Sequence, residues 1–329
     1  MSLPQAGAAF INRTAMKIII PGGTGQIGTA LASRLHAEGH DVVVLSRGVS
    51  GTPWRTLQWD GQSLGPWASE FEGADAVINL AGRSVNCRYS ADNRVAIKQS
   101  RVKSTRLIGQ TIAASTKPAR VWLNASTATV YAHRYDEPND EATGIHGSLD
   151  SGSPDTWKFS IDVADSWEGA VDEFDLPGTR RVKLRMAMTM GPGRGGVFDT
   201  FRGLARKGLG GTLGDGRQYV SWIHEVDCVR AMLWLVDKEE LEGAVNLCSP
   251  NPLPNRVFMR ELRKACGMPF GLPAARWMLE IGTFFMRTES ELVLKSRRVV
   301  PRRLLESGFS FQFPDWPEAA RNLADAFHK

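Results

Sequence analysis

Residues Lys17–Gly28 read KIIIPGGTGQIG. The β-branched run Lys17–Pro21 suits a strand buried on both faces of a parallel sheet. It leads directly into Gly22, Gly23, Thr24, Gly25, Gln26, Ile27 and Gly28. Ile27, Leu31 and Leu35 then recur at four-residue spacing up to Gly39, one face of an amphipathic helix. Glycines at 22, 25 and 28 permit a tight turn, close approach of a pyrophosphate, and close packing of helix on strand. Phosphates would then sit at a helix N-terminus, where unpaired N–H groups and the dipole favour anions. A glycine triplet alone often serves as a plain connecting turn. Here strand, spacing and helix agree, and the stretch reads as a dinucleotide site.

The pattern repeats along the chain. Asp41–Leu45 (DVVVL) and Ala74–Leu80 (ADAVINL) read as strands, followed by a long polar helix over about Ser90–Ser115. A strand is expected over Val121–Ala125, a helix over Trp157–Phe174 and a strand over Arg181–Met186. Strands alternating with helices imply right-handed crossovers, hence an α/β fold with a doubly wound, Rossmann-like parallel sheet. After Met190 the text changes. Glycine-rich loops Gly191–Gly196 (GPGRGG) and Gly208–Gly216 (GLGGTLGDG) flank a helix, Val226–Val236 and Val245–Leu247 look like a return to the sheet, and Pro250–Pro254 (PNPLP) marks a boundary. The organisation expected is a leader or extension over residues 1–15 and a nucleotide-binding domain over 16–190, to which 219–250 return. A small substrate cap would comprise 191–218 and 251–329, closing with the alternating, strand-like Gly308–Pro314 (GFSFQFP).

With 329 residues, 42% hydrophobic and 23% charged, the composition excludes disorder and fibrous classes and allows a large core without staples. Cys87, Cys228, Cys248 and Cys266 lie far apart, with no CxxC pair and no histidine at ligand spacing. That argues against a disulfide framework and against a metal site, and suits a reducing cytoplasm. No apolar run approaches the roughly 18 residues of a membrane span. The first fifteen residues lack the basic and apolar regions of a signal peptide. A net charge of +5 is too mild to indicate nucleic acid.

Nineteen positions after Gly28 stands Arg47, preceded by Ser46, at the end of the second strand. An NAD site places a carboxylate about there, on the ribose 2′-hydroxyl. A hydroxyl and a guanidinium suit a 2′-phosphate instead, so NADP (NADPH) is the cofactor expected. The plain alternative for Arg47 is a solvated surface arginine.

With the glycine loop, Asn79-Leu80-Ala81-Gly82 and Ala128-Thr129-Val130-Tyr131 in place, the chain resembles an extended short-chain dehydrogenase/reductase, the group of nucleotide-sugar epimerases. It is most similar to the atypical "epimerase family protein" branch, human SDR family 39U among them. PGGTGQIG, NLAG, SRV at 100–102, LGGTLGDGRQYVSWIH and SRRVVPRRLLESGFSFQFP carry the resemblance, from about Met16 to Pro314. It implies cofactor roles for Ser46, Arg47, Leu80, Ala81, Gly82 and Arg101, passage of Met188 and Thr189 past the nicotinamide, and a homodimer through the helices at 90–115 and 157–174.

The departures from that pattern bear on the chemistry. Such reductases pair a phenol and an ammonium as Tyr-x-x-x-Lys on one helix face, the ammonium lowering the phenol's pKa for proton exchange. Tyr89, Tyr131, Tyr135 and Tyr219 are followed four residues on by Asn93, Tyr135, Asn139 and Ile223, so no such motif exists. Phe159 and Val163 stand where the pair belongs. Of the usual triad a hydroxyl remains, Thr127, with Ser126 as the adjacent alternative. Lys158, Asp162 and His133 are nearby substitutes for the proton donor, and each also reads as an ordinary surface residue. Where the epimerases place an arginine for the sugar nucleotide's diphosphate, this chain has Val220, with Arg217 close by as either a substitute or a turn-surface charge.

His224 reads as a packing or hydrogen-bonding residue at a strand end, and Asp227 as a carboxylate stabilised by a helix dipole. Lys295–Arg303 (KSRRVVPRR) holds five basic residues and no acidic one. Its ordinary reading is a solvated face; the alternative is a wall of the cap facing a phosphorylated or carboxylated ligand. Two functions stand at this point. One is an NADP(H)-dependent oxidoreductase or epimerase-like enzyme acting on a small molecule, an anionic one where the basic run faces the ligand. The other is a non-catalytic NADP(H)-binding regulator or redox sensor.

Overall fold

The computed structural model describes residues 15–48, 51–150, 152–275, 278, 289 and 291–327. Strand β1 (Lys17–Pro21) pairs in parallel with β2 (Asp41–Ser46), and β2 with β3 (Arg55–Gln58). On its other side β1 pairs with β4 (Ala76–Asn79), followed by β5 (Val121–Thr127) and β6 (Arg180–Met186). Short strands β7 (Met188–Met190), β8 (Tyr219–Val220) and β9 (Trp222–His224) lie outside this sheet, and the chain returns to it as β10 (Gly243–Leu247) beside β6. The sheet therefore runs β3-β2-β1-β4-β5-β6-β10, seven parallel strands whose order reverses between β1 and β4. This is the Rossmann-like α/β fold expected. Strand β3 is one that the sequence reading did not assign. Its residues Arg-Thr-Leu-Gln lack any apolar run because an edge strand needs none.

Alternation along the strands sorts side chains onto two helical layers. Ile18, Ile20, Val42, Val44, Ile78 and Leu123 pack against helix α1 (Gln26–Ala37), and with them the returning helix over Glu225–Asp237. Ile19, Val43, Leu45, Val77 and Trp122 face the opposite layer, α2 (Ala91–Ala114) and α3 (Asp155–Asp172). On their exposed side α2 and α3 are joined by ion pairs Arg94–Asp155, Lys98–Asp162 and Arg106–Glu173. None of the helices among the described residues is long and apolar enough to cross a membrane.

A second core forms away from the sheet. Helix α4 (Val197–Arg206), the helix Asn255–Ala265 and the helix Trp316–Ala326 surround it. Phe198, Phe201, Trp222, Phe258 and Trp316 fill it, with the Phe258 and Trp316 rings stacked at 4.0 Å. Strand β8 joins this core by pairing antiparallel with β11 (Leu253–Pro254), and β7 pairs with β9.

Gly308–Pro314, expected as a strand, is irregular. The buried Asp227 carboxylate accepts the backbone N–H groups of Gln312 (2.8 Å) and Phe313 (2.7 Å), and Arg230 donates to Ser310 O (2.8 Å). Donors spent on side-chain acceptors are not free for a ladder. The alternation of Phe309, Phe311 and Phe313 instead serves both cores, Phe309 under the sheet and Phe313 stacked at 4.0 Å on His224. His224 in turn accepts Val226 N–H through Nδ1 and meets Asn322 through Nε2, the structural role expected of it.

Candidate functional site

The glycine loop sits at the C-terminal end of β1, at the point where strand order reverses, and its glycines have three different reasons. Gly22 has a φ of +75°, and a Cβ there would lie 2.7 Å from the backbone of Ala81. The loop thus packs directly on Leu80-Ala81-Gly82 at the end of β4. A Cβ on Gly28 would lie 2.5 Å from Gly23 Cα, so helix and loop meet backbone to backbone. Gly25 meets nothing but Gly22 O, at 3.8 Å. Contacts within the chain do not require a glycine there.

Gly25 is also the N-cap of α1. It supplies no side-chain acceptor, and the first turn holds no acidic residue. The helix N–H groups are therefore left for an anion. Thr24 and Ser46 hydroxyls lie 3.1 Å apart across the crevice, and Gly23, Thr24, Thr29, Ser46, Gly48, Thr52 and Trp54 line a recess of about 370 Å³. Trp54 Nε1 is buried without a hydrogen-bond partner. An open glycine, an uncapped helix and an orphan donor around one recess fit a dinucleotide. Arg47 is exposed at its rim. A larger recess, 620 Å³, lies at the opposite edge of the sheet between Arg120, Arg180 and Gly243, at the N-terminal ends of β5, β6 and β10. Open parallel sheets bind ligands at the carboxyl ends of their strands, so the smaller recess is the one placed for a nucleotide.

Loop residues from the other half roof the helix end. Gln26 Nε2 donates to Glu225 Oε2 at 2.8 Å, and a Cβ on Gly191 or Gly196 would displace the Gln26 amide. Ile27 packs partly buried against the sheet core. Below Ala81, Asn79 Oδ1 accepts its N–H (3.0 Å) and Asn79 Nδ2 donates to Asn124 Oδ1 (2.7 Å), locking the ends of β4 and β5. Gly82 lets Arg101 pass: a Cβ would stand 3.2 Å from the guanidinium carbon. Arg101 donates to Ile97 O (3.0 Å), lies 4.9 Å over the Trp167 ring and has no salt bridge among the described residues. Burial pulls its pKa down to about 10.

The two hydroxyls at the end of β5 face different environments. Ser126 is buried and donates to Glu168 Oε1 at 2.6 Å. Glu168 is held by both arms of Arg185 at 2.9 Å, and Arg185 donates to Tyr131 OH, itself donating to Asn246 Oδ1. Ser126 thus belongs to a structural network beneath the strand ends. Thr127 points the other way. Its Oγ1 accepts Thr129 N–H (3.1 Å) and donates to Thr129 Oγ1 (3.0 Å), closing a single helical turn.

Phe159 and Val163 pack in an apolar cluster with Tyr89 and Ile97, the Phe159 and Tyr89 rings meeting edge to face at 5.1 Å. Lys158 is exposed and Asp162 pairs with Lys98 on the surface, so neither reaches this place. His133 accepts Ser296 N–H at 2.7 Å through Nδ1, and burial lowers its pKa. Arg217 is exposed against the Tyr135 ring, while Val220 lies in the second core.

The basic run corrects the sequence reading. Lys295, Ser296 and Arg297 are 2%, 0% and 8% exposed, so this part of it is no solvated face. Lys295 Nζ donates to Thr129 O at 2.8 Å, and Arg297 Nε to Thr129 Oγ1 at 3.2 Å. Arg297 pairs with buried Glu291 (3.7 Å), which accepts Ser160 Oγ–H at 2.6 Å. Lys295 and Arg297 also line a cavity of about 10 Å³, room for one water, together with Met188, Phe201, Tyr219, Val220, Asn255 and Val293. Thr189 stands beside it on β7, its hydroxyl turned to Cys228. Sequence reasoning missed Tyr89, Ser160, Glu291 and the inward turn of Lys295 and Arg297. The one available signal was the spacing of two in Lys295-Ser296-Arg297.

Comparison with known proteins agrees with this arrangement. The NAD dependent epimerase/dehydratase family model matches residues 18–248, and a domain of unknown function (DUF1731) matches residues 274–323. The chain is 30% identical over 314 residues to epimerase family protein SDR39U1 of Bos taurus, covering 94% of this chain and 99% of that protein. It is 28% identical to epimerase family protein YfhF of Bacillus subtilis, covering 94% and 98%. Among solved structures, human epimerase family protein SDR39U1 (isoform 2) with NADPH superposes with a TM-score of 0.81 at 27% identity, over 94% of this chain and 99% of that one. A nucleoside-diphosphate sugar epimerase from Corynebacterium glutamicum gives 0.74 at 25% identity, over 95% and 59%. Sheet order, glycine crevice and family match converge, and the chain belongs to the NAD dependent epimerase/dehydratase family.

Proposed function

We propose that this protein is an NADP(H)-dependent oxidoreductase or epimerase-like enzyme. In it Gly22–Gly28 cradle the pyrophosphate, and Ser46 and Arg47 receive the 2′-phosphate. Gly25 carries the reading: it is open to the crevice at an uncapped helix end, with Ser46 and Arg47 at the neighbouring strand's end. The relative crystallised with NADPH supports the same cofactor. When bound, the cofactor supplies or accepts a hydride. The chain's own part is to hold a substrate oxygen near Thr127, close water out with residues 191–218 and 251–329, and manage a proton. Paired with a phosphate, a guanidinium contributes about 1.5–3 kcal/mol, roughly ten- to a hundredfold in affinity. NADPH is therefore expected to bind more tightly than NADH, and Arg47→Asp to reverse the order, read by fluorescence titration of both. Equal affinities in the unmutated protein would sink the assignment of the 2′-phosphate.

A regulator that binds NADP(H) without turnover draws on one observation, the apolar packing of Phe159 and Val163 where a phenol and an ammonium belong. Thr127→Val separates the two readings. It leaves Thr129 N–H unpaired, at about 1 kcal/mol of stability in either case. In the enzyme it also removes NADPH oxidation over a panel of carbonyl compounds. Turnover undiminished in that variant excludes Thr127 from the chemistry.

A further inference from the structure

Where the family pattern calls for an ammonium, α3 has a valine, yet an ammonium arrives from elsewhere. Lys295 crosses from the C-terminal part of the chain to the turn after β5. Among the described residues its Nζ bonds to one acceptor, Thr129 O, at 2.8 Å, and has no salt bridge. An ammonium has three donors, and one that is 2% exposed rarely leaves two unused without a reason. Those two are on a side chain that lines the cavity beside Met188, next to the turn that holds Thr127.

We propose that Lys295 is the proton-exchanging residue of this site, replacing the missing phenol–ammonium pair. This rests on the NADP(H) reading above. In the reducing direction the substrate's carbonyl carbon gains a hydride from the reduced nicotinamide. The carbonyl oxygen keeps the π pair and takes a proton relayed from Lys295 Nζ by the one water that this cavity has room for. Lys295 is left as a neutral amine, which regains a proton from water; oxidation runs the same steps backwards. Arg297 and Thr127 both donate to Thr129 Oγ1, and the Thr127 proton turns from that bond to the substrate oxygen when substrate binds.

The surroundings suit that exchange. Desolvation, with Arg297 as a neighbouring positive charge, pulls Lys295 down to about 8, while Glu291 and Asp150 act in the opposite sense. From α3, Trp157 presents its ring 5.9 Å from Nζ, and from the β5 turn region half-buried His133 is turned towards uncharged imidazole. Met188, Val220 and Val293 face the cavity with no charge. The other buried candidates are set wrongly for neutral pH. Burial and Glu291 push the Tyr89 phenol up to about 12, and burial raises Glu291 although Arg297 and Ser160 oppose it. A proton donor works best with a pKa near the working pH, and Lys295 meets that condition.

The test is a pH titration by NMR of full-length protein carrying 13C-labelled lysine, read at Cε in complexes with NADP+ and with NADPH. The Lys295 resonance is assigned by its loss in Lys295→Arg. Should that variant not fold, its nuclear Overhauser contact to the Trp157 ring identifies it. The oxidised nicotinamide is cationic, so the Lys295 midpoint is expected to fall by about one pH unit in the NADP+ complex relative to the NADPH complex. A midpoint above about 10, or one unchanged between complexes that both form with normal affinity, overturns the proposal alone. Failure to bind either cofactor overturns the reading beneath it as well.

Discussion

Gly28→Val is expected to abolish cofactor binding and to destabilise the fold. The added Cβ would lie 2.5 Å from Gly23 Cα and 2.7 Å from its carbonyl carbon and oxygen. All three are backbone atoms, so α1 must move off the loop, at about 3 kcal/mol or more. That shift carries the α1 N-terminus away from the phosphates, and NADPH affinity should drop at least about a hundredfold. Gly25→Ala is the matched control. Its Cβ meets no protein atom closer than Gly22 O at 3.8 Å, and its backbone, with φ −72° and ψ 170°, suits any residue. It should melt like the unmutated chain and still bind NADPH more weakly. Thermal denaturation together with NADPH titration separates the two. Gly25→Ala with unchanged affinity would show that no ligand approaches this glycine.

Arg185→Met should be the most damaging change beneath the strand ends. It leaves the Glu168 carboxylate, 11% exposed, with Ser126 at 2.6 Å as its one remaining hydrogen-bond partner among the described residues, and it takes a donor from Tyr131 OH. Stranding one member of a largely buried pair costs about 3–5 kcal/mol. The loss should depend on pH. Burial raises the pKa of Glu168, but the bonds and charge of Arg185, together with Ser126, outweigh it and hold the carboxyl below its usual range. A carboxylate depressed in the folded state contributes its full stability above the unfolded value of about 4.3 and loses it as pH falls through the folded value. The gap in stability between Arg185→Met and the unmutated chain should therefore be widest near neutrality and narrow towards acid, as denaturant titrations from pH 7 down to about pH 3 would show. A gap constant over that range would mean that lost packing of the Arg185 guanidinium over the Tyr131 ring, 5.1 Å away, dominates.

Much of this molecule is local, and what is local was legible. The glycine loop, the alternating strands and helices, and Ser46 and Arg47 at the second strand's end all follow from residues adjacent in the chain, because periodicity and turn geometry act over a few positions. The fold class and the crevice come from these alone. Gly308–Pro314 shows where that stops: its alternating phenylalanines look like a strand, but the carboxylate of Asp227, 85 residues away from Gln312, claims the backbone donors. Lys295 and Arg297 show it for the site. A run of basic residues satisfies composition equally well in water or in a pocket, and burying an ammonium is too costly to be expected without a reason in view. That reason is Thr129, 166 positions earlier, whose carbonyl meets Lys295 only when the C-terminal stretch closes over the turn after β5. The nucleotide crevice was determined by sequence because one strand, one turn and one helix make it; the proton-handling side was decided by tertiary structure, since distant segments must desolvate its charges before their chemistry exists.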